Sequence, residues 1–246
     1  MANAVEQKSF LQLRNLTELE GQKKHTFALL SFLVVVVLTL VFYLVPDFYF
    51  LEKITNETVF GMLELYQFNI EEAPLYNEIE YGNSLFIIIS NFLSGLDGHG
   101  GNTPVIKSIS ASRQFAIVRA CTGMQAGALL MALIIVTPAE ASKKIKASLF
   151  SLLALVVGNF LRIALVIAMT ITIDVSYGST YNAAWFWAHD VLGKPIGFFG
   201  TIFFAIIIER QGVPILNTVS LWIDSFIDLL KFIYSKVASI LGQKIS

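Results

Sequence analysis

Cys121, Arg162 and His189 carry the strongest chemical character in a chain that is apolar around them. A thiol supplies a nucleophile, an imidazole accepts and returns its proton, and a guanidinium holds the oxyanion that forms between them. Brought together, these groups make an acyl-transfer site. Cys121 is the sole cysteine, which excludes an intrachain disulfide and any CxxC metal or redox pair. It is expected to open a helix, where exposed backbone N–H groups favour the thiolate, with Arg119 two residues earlier adding positive charge. Arg162 lies in the run LLALVVGNFLRIALVIA at 152–168. A charge there costs at least roughly 2.5–3.5 kcal/mol on insertion scales, so it must face protein or a wet cavity. Asn159 falls three residues earlier on the same helix face and is expected to orient the guanidinium. Asp190 is the expected orienting partner of His189; His99 and His25 read as loop and tail residues. Taken singly, each has a plainer reading: a small buried thiol, a topology-fixing arginine, an interfacial histidine.

The elements that must position these residues are written in the hydropathy. Hydrophobic residues make up 55% of the 246 positions and charged residues 14%, too little charge to cover a soluble domain. The net charge of −1 gives no general attraction to nucleic acid. Residues 26–45 form an apolar run of about 20, roughly the 30 Å of a hydrocarbon core, and end at Pro46 and Asp47. Further runs cover 121–137, closed by Pro138; 147–173; and 195–208, to which residues before Pro195 contribute a first turn. Lys23, Lys24, Lys143, Lys144, Lys146 and Arg210 fall on one side, the cytoplasm by the positive-inside rule. Tyr177, Tyr181, Trp185 and Trp187 then meet the outer interface, where amphipathic rings are favoured. Lys53, Lys107 and Arg113 lie in a long external segment and carry little orienting weight.

The expected fold is an all-α polytopic membrane protein. It has about four transmembrane helices, a small extracytoplasmic α/β segment and a C-terminal amphipathic helix. Residues 1–25 read as a retained cytoplasmic tail, 26–46 as the first transmembrane helix and 47–120 as the extracytoplasmic segment. Residues 121–210 read as the transmembrane catalytic core and 211–246 as the C-terminal helix. Within the external segment, 51–65 suits an amphipathic helix, and 84–90 (SLFIIIS) and 115–120 (FAIVRA) suit strands, with a glycine-rich loop at 94–104 between them. The last strand is expected to deliver the chain to Cys121. A glycosylation sequon at Asn56 has little weight. Leu216, Val219, Ile223, Phe226, Leu230, Ile233, Val237 and Ile240 recur at spacings of three and four, the seam of a helix that lies along the membrane or packs on other helices. No HExxH, P-loop or GxGxxG motif is present, and the expectation is no metal and no cofactor.

ACTGMQ at 120–125, GNFLRI at 158–163 and AHD at 188–190 resemble, in order and membrane position, the three signature blocks of the archaeosortase/exosortase family. The resemblance covers roughly 115–210. It implies a polytopic cysteine transpeptidase of the cell membrane, unrelated in fold to soluble sortases, with its N-terminus cytoplasmic and its active site at the outer face. It implies Cys121 as the nucleophile that forms a thioester, with Arg162 and His189 as its partners. The implied substrates are membrane proteins ending in a short motif, a transmembrane helix and a basic tail, and the implied acceptor is a membrane lipid amine. Two readings from other classes stand beside it: a small transporter or channel in which Arg162 binds an anion, and a non-catalytic assembly factor acting through the C-terminal helix.

Overall fold

A computed structural model describes residues 22–44, 49–77, 102–178 and 181–243. Among these residues the chain is mostly helical, with one small sheet. Helix α1 is Gln22–Leu44 and α2 is Tyr49–Leu65; strands β1, β2 and β3 are Ile70–Asn77, Asn102–Ser108 and Arg113–Ala116. After a 3-10 turn at Arg119–Thr122 come α3 (Met124–Val136), α4 (Ala141–Tyr177) and α5 (Tyr181–Trp185). A π-helical stretch, Phe186–Gly193, leads into α6 (Lys194–Arg210), and α7 is Ile215–Gln243. Among the described residues three segments are long and apolar enough to cross a membrane: Lys23–Val41, Ala141–Tyr177 and Ala183–Arg210. The apolar helix Ala126–Val136 is shorter. Leu33 and Val37 on α1, Leu149, Leu153 and Leu161 on α4, and Phe198, Phe199 and Phe203 on α6 are all exposed, an apolar surface of the kind that suits contact with lipid.

Two compact units divide the chain. One comprises Thr39–Ala128 and Ser151–Phe204. Its sheet has the order β1-β2-β3, antiparallel throughout, so β2 is central. A register shift in β1 between Ala73 and Tyr76 sets Pro74 and Leu75 against Pro104 of β2. Neither proline has an N–H to give, so the missing donors of the two strands coincide at one bulge. Sequence had placed strands at 84–90 and 115–120. The first range and most of the glycine-rich loop lie outside the described residues, while 102–104 open β2 rather than belong to the loop. The third strand ends at Ala116, and Cys121 lies in the 3-10 turn that follows rather than directly after the strand.

Helix α2 buries Val59 and Leu63 with Ile106, Phe115 and Ile117 of the strand region and Ile163, Ile167 and Ile171 of α4. The same face of α2 buries Glu52, Thr55 and Asn56, so the sequon asparagine has no room for a glycan. Arg113 and Asp174 join β3 to α4: Nη2 of Arg113 lies 3.0 Å from Oδ2 of Asp174, with side chains 7% and 1% exposed. Arg113, expected only as a loop charge, is thus half of a buried ion pair. Asp174 stands in the last turn of α4, where the helix dipole disfavours an anion, and burial disfavours it again. The Arg113 Nη2, which lies 3.0 Å from Oδ2 and donates to Oδ1 at 3.3 Å, supplies the counter-charge that offsets both.

The other unit comprises Met1–Leu38, Leu129–Phe150 and Ala205–Ser246. Trp222 of α7 donates its indole N–H to Ser31 Oγ at 2.7 Å, and Phe32 packs edge-on against Trp222 and Phe226. Ser31 Oγ in turn donates to the carbonyl of Ala28. Thr137 and Thr218 share a buried hydroxyl pair at 3.0 Å. The buried side of α7 therefore runs through Ile215, Thr218 and Trp222. Leu216, Ile223, Leu230, Ile233 and Val237 of the expected seam are exposed, because the polar partners on α1 and after α3 select the neighbouring stripe.

Asp174→Ala leaves a buried guanidinium without its counter-charge and is expected to cost about 3–5 kcal/mol of stability. Breaking the exposed pair Lys53–Glu57 is expected to cost at most about 1 kcal/mol. Thermal unfolding of the detergent-solubilised protein compares the two. By the same measurement Ser31→Ala strands a buried indole N–H and costs about 1–3 kcal/mol.

Candidate functional site

The turn that carries Cys121 is built by its neighbours in sequence and by α4. Val118 is extended, the N–H of Cys121 donates to the Val118 carbonyl at 2.7 Å, and Gly123 ends the turn at φ 74°. A side chain at 123 would be strained there and would also meet Asn159 at 3.2 Å, so glycine is required on both counts. Cys121 therefore precedes helix α3, which begins at Met124, and does not open it as the hydropathy implied. The cause is the left-handed residue, which breaks the helical path between the thiol and the first α-turn. Asn159 is buried, and its amide donates to the carbonyl of Cys121. It was expected to orient Arg162; its hydrogen bond instead fixes the turn holding the thiol. Helix α2 packs against the same turn.

Arg162 is half-buried on α4. Space for it comes from Gly197 of α6: a Cβ there would lie 2.8 Å from Nη1 of Arg162. A Cβ at Gly193 would lie 2.8 Å from Val166, so α6 and the residues before it approach α4 through glycines.

His189 stands in the π-helical stretch. Pro195 accounts for that stretch locally: it lacks an N–H and crowds the carbonyl of the preceding turn, and the chain widens to place the N–H of Lys194 on the carbonyl of His189. Helical structure thus extends well before Pro195, further than the single turn expected. The imidazole stacks on Trp185 with ring centroids 4.7 Å apart and planes 11° from parallel. Trp185 in turn lies against Phe115 at 6.3 Å, linking the histidine to the β3 strand through two rings. Asp190 Oδ1 is 3.1 Å from His189 Nδ1 and also binds Lys194 Nζ. A carboxylate only accepts, so Nδ1 carries the proton and Nε2 is left as the basic nitrogen.

Cys121, Arg162 and His189 line one cavity of about 430 Å³. Its walls also include residues 113–118, Trp185 and Lys194. Arg162 additionally lines a second cavity of about 520 Å³, floored by Gly158, Gly197 and Gly200. Among the described residues no cluster of His, Cys, Asp and Glu is arranged to hold a metal. Sequence reasoning passed over Trp185 as a site residue, reading it only as an interfacial ring, and missed the roles of Arg113, Asp174 and Gly197. The first is signalled by its i, i+4 spacing to His189, whereas the others depend on contacts between distant segments.

Gly197→Ala is expected to drive the guanidinium out of its place, while Gly200→Ala, whose added Cβ would meet only Phe204 at 3.9 Å, leaves it undisturbed. Iodoacetamide labelling of the single thiol at pH 7 reads the difference. The first variant is expected to react several-fold more slowly, through loss of a neighbouring cation, and the second at the parental rate.

No family model, no curated protein and no solved structure matches the chain, so the reading of this cavity rests on its own residues.

Proposed function

We propose that this chain is a membrane-embedded cysteine transpeptidase of the archaeosortase/exosortase type. The observation that carries the reading is the shared cavity of Cys121, Arg162 and His189, three residues distant in sequence that the three signature-like segments had singled out. Four spans are assigned: α1, α3 with its preceding turn, α4, and α5 through α6. The lysines at 23, 24, 143, 144 and 146 put the N-terminus in the cytoplasm and the cavity at the outer face.

In this reading His189 Nε2 takes the proton of Cys121, and the sulfur attacks the carbonyl carbon of the scissile peptide bond. Arg162 holds the resulting oxyanion, a contribution of about 3–4 kcal/mol in a water-poor site. Collapse breaks the C–N bond, His189 returns the proton to the leaving amine, and a thioester remains on Cys121. An acceptor amine, concentrated among lipid headgroups, then attacks the thioester, gives its proton to His189 and releases the thiol. Asp190 holds the imidazole in the required tautomer throughout. The substrates are membrane proteins with a C-terminal motif, helix and basic tail.

One observation favours a second reading. Arg162 is the only charged residue lining the second cavity, among the described residues, as suits an anion carrier. The two readings part on the thiol, which a carrier does not need.

Co-expression with a protein bearing such a tail, followed by mass analysis of its C-terminus, tests the proposal. Cys121→Ala is expected to lower processing by about a thousandfold or more. Arg162→Lys, which keeps the charge and loses the fork, is expected to lower it about a hundredfold. Normal processing by Cys121→Ala overturns the enzyme.

A further inference from the structure

The catalytic cavity has an unusual wall. Six consecutive residues, 113–118, line it. A strand that presents one face to a cavity contributes alternate residues; a strand that presents its edge contributes them all. The hydrogen-bond pattern gives the same answer. Ile117 N–H donates to the Pro104 carbonyl at 2.9 Å, and Phe115 and Arg113 stand opposite Ile106 and Ser108 in the same alternation. In an antiparallel pair the residues between them direct their backbone groups the other way. The N–H and C=O groups of Gln114 and Ala116 therefore point away from β2, and among the described residues β3 pairs with β2 alone.

The charges along this cavity suit one kind of occupant. Arg113, Arg162 and Lys194 line it with His189, and no Asp or Glu among the described residues does. The carboxylates of Asp174 and Asp190 pair with two of these cations, Arg113 and Lys194. With those two cations paired, the Arg162 guanidinium is the group in the wall that attracts the carbonyl oxygens of an acyl donor.

We propose that the outer edge of β3 receives an extended peptide as a fourth strand, paired to the backbone of Gln114 and Ala116 and leading to Cys121. The inference rests on the acyl-transfer reading and gives that site its mode of substrate binding. Main-chain pairing supplies affinity that does not depend on side-chain identity, and pockets on alternate sides supply selectivity. Arg113, clamped by Asp174, fixes the start of the receiving strand against α4 and is a positioning residue. Trp185, stacked on His189 and tilted against Phe115, ties that strand to the imidazole.

The test uses the full-length protein in detergent and two electrophiles that alkylate Cys121: iodoacetamide, and acetyl-tetra-alanyl chloromethyl ketone, from which the sulfur displaces chloride to form a thioether. Strand addition makes the peptide reagent faster, relative to the reaction of each reagent with a free thiol in solution, by about tenfold, the effect of two or so net hydrogen bonds. The same reagent N-methylated at every amide is expected to lose that advantage. Ala116→Pro removes an N–H that serves no bond to β2, so the ratio of the peptide rate to the iodoacetamide rate should fall about fivefold. A peptide reagent with no relative advantage, or an N-methylated one that keeps it, overturns the inference whatever the fold of the proline variant. Equal slowing of both reagents by Ala116→Pro also counts against it. These outcomes are separate from the fate of the enzyme reading: processing that still requires Cys121, without any peptide preference, removes the strand addition and leaves the transpeptidase.

Discussion

A guanidinium within a long apolar helix must recover from its surroundings the hydration it has lost, and much of this fold follows from that one requirement. Arg162 occupies the middle of a 37-residue helix that exposes Leu153, Val157, Leu161 and Leu165 beside it. Its neighbours make room for it. Gly197 removes the side chain that would strike Nη1, and cavities adjoin the head group on two sides. A cation maintained at this cost in an apolar segment is the residue around which a polar site forms.

The buried pair of Arg113 and Asp174 extends the same logic to the sheet. Taken alone, an aspartate in the last turn of a helix and 1% exposed is a poor choice on two grounds, dipole and desolvation. Joined to Arg113 it sets the short β3 strand against α4 at the level of the cavity. Apolar packing supplies the remainder of that joint, through Phe115 and Ile117 against Ile163, Ile167 and Ile171. Polar pairing gives the joint its register, and apolar area gives it most of its strength. The same division holds in the other unit, where Ser31 and Trp222 choose which stripe of α7 is buried.

The π-helical stretch shows how a local irregularity is turned to use. Pro195 cannot donate to the preceding turn, and the wider stretch that results carries His189, stacked on the tryptophan that ends the α-helix before it. Asp190, adjacent in sequence, reaches the Nδ1 of its neighbour and so selects the tautomer with a basic Nε2. Strain, stacking and tautomer selection here come from residues within ten positions of one another.

Hydropathy alone was enough to find the long apolar helices, because about 20 consecutive apolar residues have few other uses. It was also enough to single out Arg162, whose cost in such a run is a local property, and to pair His189 with Asp190 as immediate neighbours. The strands were harder to see. Pro74 and Pro104 interrupt the alternation that marks a strand, and only the pairing of β1 with β2 shows that the two interruptions fall at one bulge. Asn159 was legible as a polar residue on the arginine's helix face, but its partner, the carbonyl of Cys121, lies 38 residues away. Which glycine admits the guanidinium, which aspartate holds Arg113 and which edge of β3 faces the cavity are likewise decided in three dimensions. Composition and periodicity are sums over neighbours along the chain, whereas a cavity is a relation among segments that only folding brings into contact.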